Sequence, residues 1–333
     1  MNWKGKAFIQ KCISVLPKKL SYETYFRIQR HFGRLKKPFN PISPPSGGIS
    51  EGVRFLKKIQ NAGYTHSDKV FFEIGTGWIA LVPLTYWLAG ADKIITIDLN
   101  PWLRKELIKE SVSYIINNQD EIKNVMGEFL NEERLKTLID FFETKEFDVK
   151  EYLKFCHIEY ISPGDAARTS LPDNSVDYHT SSAVLEHIPL NELKEIIKEG
   201  NRIIKNDGLF IHDIDYSDHY APIDSGITPL HFLRYSDEEH KKFIHRFHYV
   251  NRLRHDDFID LFKTTGHEFL EIDAHKNKEL EEMLKRGEVK LDKRFREKTN
   301  EILSITGSWF VTRKNCSKKT TCSAISRNID TNV

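Results

Sequence analysis

The stretch Lys69-Val70-Phe71-Phe72-Glu73-Ile74-Gly75-Thr76-Gly77-Trp78 decides how the rest of the chain is read. Val70 to Ile74 is a short apolar, aromatic-rich run interrupted only by Glu73, and it closes on Gly75-Thr76-Gly77. A run of that length ended by glycines reads as a buried parallel strand turning into a loop. Glycine there lets the backbone take positive φ and lets a ligand lie against the main chain. Glu73 falls near the carboxyl end of the strand, the end at which ligands bind in open α/β sheets. Gly-x-Gly alone is a weak signal and equally serves an ordinary strand-to-helix turn. Its weight comes from the elements that succeed it at fixed intervals.

Ile79 to Val82 and Leu84 to Leu88 predict a helix, with Pro83 in its first turn. Lys93 to Asp98 is a second buried strand ending in an acid. Asp98 lies 23 residues after Gly75, close to the interval at which a carboxylate meets ribose hydroxyls in a βαβ nucleotide unit. Residues 101–156 read as a helical insert, with helices at 102–116 and 128–142 and no chemical motif, suited to a lid or an interface. Further strands are expected at 157–162, 176–180 and 209–215, and Ser181 to Ile188 reads as the opening of a helix continued by Leu193, Ile196 and Ile197. Strands alternating with helices predict an α/β fold, Rossmann-like and doubly wound, with a mostly parallel sheet. Residues 216–234 are a long polar loop, 246–265 a helix, 269–272 a strand, 276–300 a charged helical region read as a solvated face, and 308–311 a closing strand. From Cys316 onward a disordered tail is expected.

Composition excludes several classes. The chain has 333 residues, 39% of them apolar and 29% charged, which is ordinary for a soluble globular protein. Four cysteines without metal-ligand spacing fit a reducing, cytoplasmic setting. No apolar run approaches the roughly 20 residues that span a bilayer, and the first residues lack a secretory signal's apolar core. Net charge is +2, yet residues 1–40 carry ten Lys or Arg and one acid, so that arm is +9 and the remainder −7. Two readings of the arm stand. It is either an interfacial helix pair on the anionic inner face of a membrane, or a helical arm packed on the domain over sheet or substrate site. Pro38 to Gly48 reads as a linker. Basic and aromatic residues do not interleave over the core, so no nucleic-acid partner is expected.

Taken together, the motifs resemble those of the class I S-adenosylmethionine-dependent methyltransferases. Glu73-Ile74-Gly75-Thr76-Gly77 resembles the loop that holds the methionine end of the cofactor, Asp98 the acid on the ribose, and Gly164-Asp165-Ala166 the segment whose acid meets the adenine amine. Leu171-Pro172-Asp173-Asn174-Ser175-Val176-Asp177, Leu185-Glu186-His187-Ile188 and Lys205-Asn206-Asp207-Gly208-Leu209 resemble the segments around the fourth and fifth strands. The likeness spans about residues 65–215, with Trp309-Phe310-Val311 compatible with the last of seven strands. It departs at Ile79, where a third glycine is common. The resemblance implies S-adenosyl-L-methionine as cofactor, held by Glu73, Gly75, Thr76, Gly77, Asp98, Asp165, Ala166 and Ser181. The arm, Gly-Thr-Gly-Trp, Asp215 to Tyr220 and Thr228-Pro229-Leu230 are similar to methyltransferases linked with bacterial surface-polysaccharide assembly. The implied organisation is a basic arm and linker over 1–45, a methyltransferase domain over 46–314 whose residues 216–300 lie on the acceptor side, and a tail over 315–333.

Methyl transfer from a sulfonium is an in-line displacement, so the protein must align the reactants and exclude water. A hydroxyl acceptor, such as a sugar, also needs a base near the methyl. His187 after strand four is one candidate; Asp215 and His219, with Asp213 and Asp224 nearby, form a second set at the end of strand five. No metal ligands are assigned, because the Asp and His spacing is not diagnostic. Two other readings compete. An NAD-type Rossmann oxidoreductase is disfavoured because Ala80 stands where a third glycine is needed. A catalytically silent scaffold would use the arm alone. Trp78 and Ile79 are expected either to wall the cofactor from solvent or to pack under the next helix.

Overall fold

The computed structural model describes residues 2–33, 35, 45–144 and 146–315. Most of the Pro-rich linker and the tail expected from Cys316 lie outside the described residues. Five parallel strands, β1 (Val70–Ile74), β2 (Lys93–Ile97), β3 (Ile158–Ile161), β4 (Val176–Ser182) and β5 (Ile204–Asp215), share one sheet with β6 (His267–Lys276) and β7 (Ile305–Lys314). The order is β3-β2-β1-β4-β5-β7-β6, with β7 antiparallel to both of its neighbours. This is the α/β, mostly parallel, seven-stranded sheet expected from the motif order. Central strands bury both faces: Phe71, Phe72, Ile94, Ile95, Phe210 and Ile211 are all nearly inaccessible, which is why they read as continuous apolar runs.

The helices are α1 (Trp3–Ser14), α2 (Lys18–Phe32), α3 (Pro45–Asn61), α4 (Leu81–Leu88), α5 (Lys105–Asn117), α6 (Gln119–Met126), α7 (Glu132–Thr144), α8 (Val149–Phe155), α9 (Leu190–Ile203), α10 (Asp237–Lys241), α11 (His255–Thr264), α12 (Lys278–Lys285) and α13 (Asn300–Ser304). Helix α3 begins at Pro45, within the stretch read as linker. Its glycines serve packing: a Cβ on Gly48 would stand 2.6 Å from Leu81, and one on Gly52 2.4 Å from Thr85. Small residues there let α3 and α4 approach closely.

The helices of the 101–156 insert are built into the core. Ile108, Val112, Ile115, Ile122, Leu135 and Leu138 join the largest core cluster, together with Phe55, Phe71 and Trp309. The charged 276–300 region is also more than a solvated face, because Leu280, Leu284 and Phe295 pack with Leu230, Phe232 and Leu233 of the long loop after β5. Arg254, wholly buried, donates to the carbonyls of Tyr216, Leu303 and Ile305 and so anchors the start of that loop.

The arm is docked. In α1, Trp3 packs against Tyr220, His231 and Phe243, and its backbone N–H donates to Asp224 Oδ2 at 3.0 Å. In α2, Arg30 Nη2 donates to both carboxylate oxygens of Glu110, at 2.5 and 2.6 Å. The inner faces of α1 and α2 thus pack over the domain, as one of the two readings of the arm expects.

Candidate active site

Strands β1 and β4 are neighbours in space, and the chain leaves them in opposite directions along the sheet, which opens a crevice at their carboxyl ends. Gly75 lines it at φ +91°, and a Cβ there would meet Val184 at 2.3 Å, so both conformation and space exclude a side chain. Gly77 adopts φ +68°, but a Cβ on it would meet nothing within 4 Å. That open side leaves the backbone accessible to a ligand. Asp98, just past β2, accepts from Gly77 N at 3.2 Å and Asn100 N at 3.1 Å, one bond to each oxygen. Each oxygen keeps a lone pair for a further donor. Burial raises its pKa to about 6, against the opposing pull of those two amides.

The other residues of the cofactor set differ in what they leave open. Glu73 is buried; Thr96 Oγ1 donates to it at 3.0 Å, and Thr76 Oγ1 lies 2.6 Å from Thr96 Oγ1. Burial lifts Glu73 to about 8, so this chain of hydroxyls ties β1, its loop and β2 together from beneath. Asp165 accepts from Ala167 N at 2.9 Å and pairs with Arg168 at 2.7 Å, while Gly164 N donates to the Asp98 carbonyl, joining the loops after β2 and β3. Ala166 is buried. Ser181 is buried on β4 with its hydroxyl 2.7 Å from His212 Nδ1.

A roof of aromatic rings covers the loop. Trp78 stacks on Phe26 of α2 (centroids 5.5 Å) and lies 4.7 Å from Trp102. Tyr25 stacks on Phe247 at 4.1 Å, and Tyr22 Oη donates to Asn100 Oδ1 at 2.7 Å. Trp78 therefore packs against the arm rather than under α4. Tyr22, Tyr25 and Phe26 share one helical face by their spacing, but no local signal says what that face covers.

The third component lies at the ends of β4 and β5. The segment 181–188 does not open a helix: β4 runs to Ser182, Ala183 turns the chain at φ +50°, and Leu185–His187 form a single 3-10 turn before α9. Asn251 clamps this turn, its amide donating to the carbonyls of Leu185 (2.9 Å) and Ile188 (2.8 Å). His187 Nδ1 lies 2.6 Å from the Tyr249 carbonyl and therefore carries the proton, which leaves the lone pair on Nε2. His219 Nε2 is 3.3 Å from Asp215 Oδ2, and the His187 and His219 rings meet edge-on at 4.7 Å. Burial works to raise Asp215, but His219 and Ser217 outweigh it and hold the carboxyl below its usual range.

His187, Asp215 and His219, candidates from separate stretches of the sequence, thus converge. Glu186, to which the sequence gives no role beyond its place in the Leu185–Ile188 segment, joins them with its carboxylate buried and without a well-formed hydrogen bond. Burial pushes it well above the ordinary range. Asp213 instead sits by Glu51 and Arg54, and burial raises it to about 7. Asp224 is taken up by Trp3 N and Gly226 N, so it fastens the arm and does not join the cluster.

With this geometry in view, a family model described as a methyltransferase domain matches residues 133–212. Over those residues, about a quarter of its length, the chain is similar to a methyltransferase domain. The matched span runs from α7 to β5 and includes Asp165, Ser181 and His187; the Gly-Thr-Gly loop and Asp98 precede it. S-adenosylmethionine is the cofactor of such a domain, and the open Gly77 backbone with the free lone pairs of Asp98 fits it.

No curated protein matches the chain. Among solved structures, it is similar to a magnesium protoporphyrin IX methyltransferase from Synechocystis (10% identity over 91% of this chain and 100% of that one, TM-score 0.46). It is also similar to a S-adenosylmethionine-dependent methyltransferase from Methanosarcina mazei (17%, 77% and 96%, TM-score 0.40). A third likeness is to a geranyl diphosphate C-methyltransferase from Streptomyces coelicolor (10%, 80% and 80%, TM-score 0.44). Likeness at this level says nothing about the acceptor.

Proposed function

We propose that the protein transfers the methyl group of S-adenosylmethionine to a hydroxyl oxygen of a sugar or related small acceptor in a surface glycan. The observation that carries this reading is the juxtaposition of two unlike half-sites at the carboxyl edge of one sheet. One is a Gly-Thr-Gly loop beside Asp98; the other is a cluster of imidazoles and carboxylates where β4 and β5 end. The bound cofactor supplies an electrophilic methyl on a sulfonium. The chain supplies the rest. Asp98 accepts from ribose hydroxyls through its free lone pairs, and the backbone at Gly75 and Gly77 gives close approach. The Trp78–Phe26 roof excludes water, which favours a reaction that disperses charge. His187 Nε2 or Asp215 is placed to take the proton of a hydroxyl acceptor, a task an amine would not require. Asp215 and His219, where β5 meets its loop, support a hydroxylated acceptor over an apolar one.

Calorimetric titration with S-adenosylhomocysteine tests the reading. Micromolar binding is expected, followed by label transfer from methyl-labelled cofactor to a sugar-containing acceptor panel. Absence of binding at high micromolar ligand would overturn it. We infer in addition that the arm rests against anionic lipid. Phe8, Ile9, Val15 and Leu20 remain exposed on the outer side of the docked helices, alongside exposed Lys4, Lys11, Lys18 and Lys19. Among the described residues no helix is long and apolar enough to cross a membrane.

A further inference from the structure

Glu186 has no task in the methyl transfer itself. Its side chain is 2% exposed, neither oxygen has a well-formed hydrogen bond, and among the described residues no Lys or Arg pairs with it. Burial disfavours it as an anion, so it holds a proton unless a cation displaces that proton. We propose that Glu186, His187 and His219 bind a divalent transition-metal cation at the acceptor end of the cleft.

One ligand atom from each residue lies within 4.8 Å of the other two, and among the described residues no other group of three such side chains comes this close. Two ligands bound about 2.0–2.2 Å from one ion stand roughly 3–4 Å apart. Small side-chain rotations therefore close the set. His187 is already oriented: its Nδ1–H is held by the Tyr249 carbonyl at 2.6 Å, so Nε2 is the ligating atom. That outer bond is the usual device for fixing a ligating imidazole. His219 Nε2 is buried without a well-formed hydrogen bond, and Asp215 Oδ2 at 3.3 Å adds a second carboxylate within reach. Two imidazoles and a carboxylate suit Zn2+, Mn2+ or Fe2+ better than Mg2+ or Ca2+, which prefer all-oxygen shells.

Three protein ligands leave positions open for the oxygens of a vicinal diol, and a cation there would ease deprotonation of the hydroxyl to be methylated. That catalytic use rests on the methyltransferase reading; binding of the ion does not. Spacing hides the site in sequence. Glu186 and His187 are adjacent, whereas His219 comes 32 residues later and is returned to them only by β5 and its loop.

The test uses the full chain, stripped with chelator and then titrated calorimetrically with Zn2+ alone and Mn2+ alone, with bound metal counted after dialysis. One equivalent bound at micromolar or tighter affinity is expected. Glu186→Gln and His219→Ala should each weaken it by more than the roughly 10–100-fold that loss of an outer-shell partner costs, with S-adenosylhomocysteine affinity unchanged. No binding by the wild-type chain overturns the proposal, as does full affinity in both variants, which would assign the ion to other histidines. Should a variant also lose S-adenosylhomocysteine binding, the visible absorption of Co2+ added to the wild-type chain decides. Intense bands of a low-symmetry protein site support the assignment, and the weak spectrum of hydrated Co2+ overturns it. Metal binding without S-adenosylhomocysteine binding would remove the methyltransferase reading and leave the metal site standing.

Discussion

Asp98 does its proposed work only as a carboxylate, and burial has brought its pKa up to about 6. Protonation removes acceptor lone pairs from the ribose hydroxyls, so cofactor affinity should be level above neutrality and fall as pH drops through 6. At pH 5 the loss should be about tenfold. Asp98→Asn should bind weakly at all pH values and lose this dependence; calorimetry across pH 5 to 8 reads both, and a flat wild-type profile would remove Asp98 from the site. As a candidate this residue was legible in the sequence, because an acid closing a buried strand follows the glycine loop at the interval of a nucleotide unit; alone it would read as a helix cap or a strand end. Glu186 was not legible. Nothing local distinguishes a buried glutamate from the exposed ones that dominate this chain, and its burial is decided by Asn251 clamping the turn from 63 residues away along the chain.

Among the elements, strands read true and turns did not. The five parallel strands announced themselves as apolar runs because both of their faces are covered. The 181–188 segment imitated a helix because Ser181, Val184, Leu185 and Ile188 recur at near-helical spacing, yet positive φ at Ala183 breaks the chain there. Helices α6 and α8 went unseen, being short, charged and held by tertiary packing of a few residues. Helix α1 carries two faces, and only the inner one, with Trp3, Ala7, Gln10 and Ile13, is accounted for by the domain. The outer face should hold the chain on anionic vesicles in flotation, more weakly as salt rises. Replacing Phe8 and Val15 by Ser should release it without loss of folding, since both are exposed (69% and 78%). A wild-type chain that fails to float would show that this face meets water.

At the scale of the whole molecule, the sheet carries a stability cost set at its centre. Glu73 in the folded chain holds its proton to about pH 8, against an ordinary value of 4.5. Between those values the folded state binds more protons than the unfolded one, so stability must fall as pH rises across that window. Below pH 4.5 the effect vanishes, and above 8 it is complete, on the order of a few kcal/mol. Glu73→Gln should flatten that dependence and stabilise the chain most at alkaline pH. Denaturant unfolding of both forms at pH 5 and pH 8 measures the difference; identical slopes would contradict the buried, protonated state. Fold class was readable because alternation and motif order survive any loop variation. The position of the arm was not, since the partners of α2 come from the loops after β1 and β2, from Glu110 of α5 and from Phe247.

That arm has a kinetic consequence. Its first helix rests on the loop bearing His219 and Tyr220, and its second on Trp78 and Asn100, so one helix pair touches both halves of the cleft. On the proposed reaction, spent cofactor and methylated product would leave past the same clasp. Undocking of the pair is then expected to set the pace of both departures, so that release rather than bond making limits turnover. A burst of product in the first cycle, equal to the enzyme present, is its signature.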